Sequence, residues 1–332
     1  MRQEPGSTPA ETDERARHVG YYLIDRGLSQ LERRAGARVY RLDARQRRGQ
    51  SAPLPLYLSG ILLLTAGFSW GLLALTQAQT GGMPGWLLLL LAVPAVLGTS
   101  QLAVALVNWL ASLLATPHPL PRLDFSGGIP AQARTLVVTP TMLGSARGIE
   151  ALVEGLEVRF LANRDRHLHF CLLTDFRDAP AETLPGDRAL IQLATQGVAA
   201  LNAKYPCPDG DTFFLFHRPR CWNPQEGVWM GYERKRGKLS NLNALLRGVD
   251  AAPSPTAPPP AGQQGRSGAS FSVIVGDTRV LSNVRYVITL DTDTQFPRDA
   301  AQTLVGAMEH PLNRARFDVD LGRVREGYGI LQ

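Results

Sequence analysis

Two aspartates two positions apart, Asp291 and Asp293, close the apolar run Tyr286-Val287-Ile288-Thr289-Leu290 in this 332-residue chain. Hard oxygen ligands at that spacing suit Mg2+ or Mn2+ held between protein and a diphosphate, a setting that needs few dedicated protein ligands. The run is rich in β-branched residues and reads as a strand. On a strand, positions i and i+2 share a face, so both carboxylates are expected to point together beyond its end. Open α/β sheets bind ligands at the carboxyl ends of their strands. The pair therefore reads as a metal and nucleotide-sugar site of the D-x-D kind, the alternative being two solvated turn aspartates. Four further candidates precede it: Pro140, Asp175, Lys238 and Asn243. A carboxylate at a strand tip can accept a hydrogen bond from a pyrimidine N–H, and a lysine offsets diphosphate charge. An asparagine on a following helix can bond backbone or sugar hydroxyls. The expected substrate-binding set is Pro140, Asp175, Lys238, Asn243, Asp291 and Asp293, with Asp291 and Asp293 also holding the metal.

Positioning these groups takes a parallel sheet. Residues 135–140, ending in Pro140, read as a first buried strand, and residues 145–162 carry Ile149, Leu152, Val153, Leu156 and Phe160 at helical spacing. Residues 169–175 read as a second strand, ending in Asp175. Strand, helix, strand with a carboxylate at the tip opens a nucleotide-binding sheet, and the absence of a G-x-G-x-x-G or Walker A string argues against dinucleotide and P-loop classes. A helix is predicted over 188–205, a strand over 213–218, an aromatic and charged loop up to Lys238, and a helix from Ser240 to a stop at Gly248. Residues 250–270, dominated by Pro, Ala, Gly and Ser, read as a flexible insertion. A short edge strand over 271–275 precedes the D-x-D strand. Pro297 suits the first turn of a helix reaching Met308, and residues 328–332 read as the start of another strand, so that the chain is expected to stop in mid-domain. Trp222 and Trp229 are either core aromatics or a sugar-stacking surface. His167, His169 and His217 lack ligand spacing and are expected to be structural.

The net charge of +6 is uneven: Arg26, Arg33, Arg34, Arg38, Arg41, Arg45, Arg47 and Arg48 crowd the first fifty residues. No Asp, Glu, Lys or Arg then occurs until Arg122. Two apolar runs inside that gap, 54–76 and 86–115, each exceed the roughly 20 residues needed to cross a bilayer. The arginine excess before them places both chain ends in the cytosol. His18, Val19, Tyr22, Leu23, Leu28, Leu31 and Val39 are expected to line an interrupted amphipathic helix. Three cysteines without C-x-x-C spacing fit a reducing compartment, and no signal peptide is visible. The expected divisions are a cytosolic basic segment over 1–50, a transmembrane helical hairpin over 51–116 and a soluble α/β domain over 117–332. No nucleic-acid partner is expected.

Longer strings carry a family resemblance. The segment Arg236-Gly237-Lys238-Leu239-Ser240-Asn241-Leu242-Asn243 resembles the Gly-Lys-x-x-x-Leu-Asn motif of inverting, processive-type glycosyltransferases with a GT-A fold. Further strings resemble the transferase region of bacterial cyclic β-1,2-glucan synthases. They are His18 to Asp25, Glu157 to Asp165, Phe214 to Arg220, Trp222-Asn223-Pro224, Gly227 to Gly231, Glu233 to Lys238 and Tyr286 to Asp291. The resemblance implies a membrane-anchored α/β protein, a two-helix transmembrane hairpin followed by an incomplete GT-A (nucleotide-diphospho-sugar transferase-like) domain. It implies UDP-glucose as donor, a growing glucan as acceptor, Mg2+ or Mn2+ as cofactor, and a multi-pass place in the bacterial inner membrane with the transferase domain cytosolic. Asp175 would meet the uracil, Lys238 the diphosphate, and Asp291 and Asp293 the metal. The catalytic base, an acceptor-site R-W motif and further helices would lie beyond Gln332, so no catalytic residue is expected within the chain. The alternative is a truncated, catalytically inactive membrane-docked fragment that binds nucleotide or a partner.

Overall fold

The computed structural model describes residues 16–36, 53–114, 119–248 and 271–332. The expected insertion at 250–270, Val39 and Arg38 to Arg48 lie outside the described residues. Two compact units emerge, Met1–Leu120 and Pro121–Gln332.

In the first unit the expected interrupted helix is two short ones, α1 (Val19–Ile24) and α2 (Leu28–Ala35). The break falls at Gly27, whose backbone lies so close to Tyr21 that a Cβ would sit 2.5 Å from its ring. The charge-free region forms α3 (Pro53–Gln79) and α4 (Gly85–Leu114). At ~1.5 Å per residue each is longer than the ~30 Å hydrocarbon core of a bilayer. Apolar side chains are exposed around both helices, including Leu62, Trp70, Leu89 and Leu113, an arrangement suited to lipid and not to a water-soluble core. Two polar pairs bond across the helices: Tyr57 Oη donates to Asn108 Oδ1 at 2.8 Å, and the Ser69 and Thr99 hydroxyls lie 2.7 Å apart.

The second unit is built on a five-stranded sheet. Its strands are β1 (Thr135–Leu143), β2 (Leu168–Phe176), β3 (Phe213–His217), β6 (Val273–Val275) and β7 (Tyr286–Thr289), in the order β6-β3-β2-β1-β7. All neighbours are parallel except β6, an antiparallel edge on β3. Side-chain alternation gives the sheet two cores. Val137, Phe170, Leu172, Phe213 and Leu215 face α5 (Ala146–Ala162), α6 (Asp187–Lys204) and α8 (Ala300–Glu309). Leu136, Val138, Cys171, Leu173, Phe214 and Phe216 face Leu242 of α7 (Arg234–Leu246) and the 3-10 turn Thr278–Leu281. The result is a helix–sheet–helix sandwich whose central strands are buried on both faces.

Several boundaries differ from the sequence reading, each for a local reason. β1 runs to Leu143, so Pro140 lies inside a strand and not at its end. Leu290 N donates to Val138 O at 2.9 Å, and the next rung of that parallel ladder would need the N–H that Pro140 lacks. Pairing to β7 therefore stops, while the opposite side of β1 stays paired to β2 as far as Leu143 and Phe176. α7 begins at Arg234 and not near Ser240, which puts Lys238 inside a helix. Pro297 precedes α8, which is entered through Asp299 in a left-handed conformation with no side-chain cap. The aromatic loop contains a hairpin, β4 (Cys221–Asn223) and β5 (Val228–Met230), too short for a period-2 pattern to show. The expected strand at 328–332 is absent. A hairpin of β8 (Arg316–Asp318) and β9 (Arg323–Glu326) precedes it, and Tyr328 makes only an isolated bridge to Arg314.

His169 and His217 are buried in the sheet, and burial pushes the pKa of each down to about 4. Both are neutral when folded and take up protons near pH 6.5 when unfolded. Their contribution is complete above about pH 6.5 and is lost as pH falls toward about 4, each at about 1.4 kcal/mol per pH unit. Thermal unfolding of the detergent-purified chain, followed by near-UV circular dichroism, is expected to move to lower temperature between pH 6.5 and 4.5. His217→Asn is expected to lessen that slope by up to about 1.4 kcal/mol per pH unit, the contribution of one proton; an unchanged slope contradicts the assignment.

Candidate functional site

The strand order reverses beside β1: the chain leaves it toward β2 and β3, then returns to its other side as β7. Such a reversal opens a crevice at the carboxyl ends of the two strands. Asp175, near the end of β2, stands level with Met142 of β1, and Asp291 follows β7 on the opposite flank.

Asp175 is 2% exposed and holds two cations. Lys238 Nζ donates to its Oδ1 at 2.8 Å and Arg218 Nη2 to its Oδ2 at 3.2 Å. Lys238 donates also to Thr141 O at 2.6 Å, and Arg218 to the carbonyls of Tyr232 and Arg234 at 3.0 and 3.2 Å. Burial pulls the Lys238 ammonium below the ordinary lysine range, and the Asp175 carboxylate pulls it back up. Gly231 covers the carboxylate so closely that a Cβ would lie 2.2 Å from Oδ2, and at Gly237 a Cβ would lie 2.2 Å from Tyr232 O. The glycine of the Arg-Gly-Lys string is thus what allows the chain to fold back over the start of α7.

Asp291 and Asp293 are exposed and occupy a turn closed by Thr294 N on Asp291 O at 3.1 Å. Because β7 ends at Thr289, strand alternation does not set their directions, which corrects the sequence argument for a shared face. The turn is fixed from beneath by Arg159, a buried residue of α5. Its Nη2 donates to the carbonyls of Asp291, Thr292 and Thr294 at 3.1, 2.8 and 3.2 Å. Asn163 completes the clamp, donating to Pro297 O at 2.9 Å and accepting from Ala301 N at 3.0 Å. Above the turn, Lys235 Nζ donates to Asp291 Oδ1 at 2.5 Å.

The structure therefore joins Asp175 to Lys238 and joins Asp291 to α7 through Lys235. Pro140 is buried beneath them in β1. Asn243 is not brought into the cluster: it is exposed, on a different face of α7 from buried Lys238 and Leu242. Arg159, Arg218 and Lys235 escaped the sequence reading. Arg159 and Asn163 continue the apolar stripe Ile149, Leu152, Leu156 at three- and four-residue steps, and a polar residue on a core stripe is a legible signal. Arg218 and Lys235 left no comparable trace. Trp222 is 45% exposed on the β4–β5 hairpin, with its ring centroid 5.8 Å from that of cross-strand Trp229, so the pair lies at the surface and not in the core. Arg220, two residues after Arg218, binds Asp187 at the start of α6 and stacks over Phe176. His167, His169 and His217 each bond a protein oxygen through Nδ1. Among the described residues no three His, Cys, Asp or Glu side chains gather as a metal cluster.

No protein-family model matches the chain. Over 246 residues, 74% of its length, it is 40% identical to the cyclic beta-(1,2)-glucan synthase NdvB of Rhizobium meliloti (strain 1021). The chain is a relative of a glucan synthase. It spans 8% of the length of that curated relative. In this chain the string from Glu157 to Asp165 holds the D-x-D turn through Arg159 and Asn163, and the string from Phe214 to Arg220 supplies two further buried arginines, Arg218 and Arg220.

Asp175→Asn leaves two buried cations without an anion, whereas Lys238→Met leaves one matched pair. The expected costs in unfolding free energy are about 5 and about 3 kcal/mol, and a larger cost for Lys238→Met contradicts the triad. Arg159→Ala is expected to speed amide exchange at residues 291–296 while leaving β1 and β2 protected; hydrogen exchange read by mass spectrometry checks both.

Proposed function

We propose that this chain is the donor-binding part of a membrane glycosyltransferase of GT-A type that draws on UDP-glucose to extend a β-1,2-glucan. One observation carries the reading. At the crevice where the strand order reverses, a single helix, α7, ties a buried carboxylate on β2 to an exposed D-x-D turn after β7. The identity to a cyclic glucan synthase supports the product, and the exposed apolar helices support the membrane.

Asp291 and Asp293 fit Mg2+ or Mn2+, which bind through one or two carboxylates with the remaining positions left to water and phosphate; both side chains are exposed on a turn held rigid by Arg159. When bound, the ion neutralises charge on the departing diphosphate. The protein's own residues do the rest. Arg159 and Asn163 hold the turn carbonyls so that the two carboxylates are presented without reordering. Asp175, 2% exposed and covered by Gly231, is closed to a pyrimidine in this arrangement; it anchors Lys238 and Arg218, and through them the start of α7. Lys238 and Arg218 hold that carboxylate in a fixed orientation. Inverting transfer requires a base to take the acceptor's proton, and we assign none to these 332 residues. The arginine-rich segment before α3 argues for a cytosolic transferase unit on the inner membrane, the side on which nucleotide sugars are made.

Calorimetric titration of UDP-glucose into the detergent-purified chain, with and without Mn2+, tests the reading. Binding is expected only with Mn2+, and Asp293→Ala is expected to weaken it by at least about tenfold, the loss of one charge-assisted contact. Metal-independent binding, or none in a folded sample, counts against it.

A further inference from the structure

Lys238 carries the expected phosphate role poorly. It is 3% exposed and its ammonium is committed to Asp175 and Thr141, at the β2 side of the crevice. Three residues earlier, on the same side of the first turns of α7, Lys235 is half exposed and reaches the D-x-D turn itself. The side chains of Lys235 and Asp291 are 51% and 62% exposed, so both remain open to an incoming ligand. An exposed pair of this kind is weak, worth about 0.2–1 kcal/mol, and exchanges partners readily. Arg218 fixes the start of α7 through the Tyr232 and Arg234 carbonyls, which keeps Lys235 within reach of the turn.

We propose that Lys235 is an exchangeable latch on the donor site: it neutralises Asp291 when the site is empty and moves to the diphosphate when metal and nucleotide bind. The inference rests on the donor-site reading above. A cation and a metal ion compete for Asp291 Oδ1, so the ion displaces Lys235. The freed ammonium would then lie beside a bound diphosphate, which it can meet by a charge-assisted hydrogen bond. Lys235 therefore opposes the metal alone and favours the metal–nucleotide pair. A residue with a merely structural role would move both affinities in the same direction.

Lys235→Met tests this in the full chain. Binding of Mn2+ alone, read by electron paramagnetic resonance, is expected to tighten about two- to fivefold, the reciprocal of an exposed ion pair. Binding of UDP in the presence of Mn2+ is expected to weaken about tenfold, the loss of one hydrogen bond to a charged group, while uridine binding stays unchanged. Arg236→Ala removes a cation from the same helical turn, one whose partner is Glu233, and is expected to change neither affinity. Unchanged or weaker Mn2+ binding in Lys235→Met overturns the latch, as does equal behaviour of the two variants. Failure of the wild-type chain to bind UDP with Mn2+ sinks the donor-site reading and the latch with it, whereas normal wild-type binding with an unchanged UDP affinity in Lys235→Met overturns the latch alone.

Discussion

A carboxylate sealed inside a sheet must be matched, and Asp175 is matched twice, by Lys238 and by Arg218. Leaving such a charge unpaired costs several kcal/mol, so both cations are held where Asp175 needs them. That requirement organises the crevice. Arg218 comes from the end of β3 and also binds the carbonyls at the entrance to α7. Lys238 comes from α7 itself and also binds β1. One buried anion thus fastens β1, β2, β3 and α7 at the edge where ligands of such sheets bind.

The D-x-D turn depends on a different device. Pro140 lacks the donor for the next rung to β7, so the chain after Leu290 leaves the sheet. A released turn would ordinarily be mobile. Arg159 prevents this by donating to three of its carbonyls, and Asn163 does the same for the approach to α8. The carboxylates are left exposed while their backbone is held from the core side. A site that must admit and release a charged ligand gains from that division between a fixed backbone and open side chains.

α7 joins the two devices. Lys235 and Lys238 lie one turn apart, so one helix reaches Asp291 on one flank of β1 and Asp175 on the other. Their environments differ as much as two lysines can. One ammonium is desolvated and structural, and the other is hydrated and free to exchange. The separation of roles follows from burial alone and is the reason the lysine closest to the D-x-D turn is not the one in the Gly-Lys string.

The sequence by itself determined the two long apolar helices, because a stretch without charge has few other stable forms, and the parallel α/β sheet, because its strands are continuous apolar runs separated by amphipathic helices. It marked Asp175, Asp291 and Asp293 as well, since carboxylates after apolar runs stand out. Short hairpins were not legible: three-residue strands such as β4 and β5 are too brief to carry a period. Only the tertiary structure decided which charges meet. That Lys238 is buried against Asp175, that Asn243 faces away, and that Arg159, Arg218 and Lys235 belong to the crevice all depend on how α7 and α5 pack on the sheet. Periodicity reports which face of an element is apolar, but ion pairs between residues 43 to 63 positions apart, or a hydrogen bond from Arg159 to Asp291 across 132, are set by the docking of whole elements.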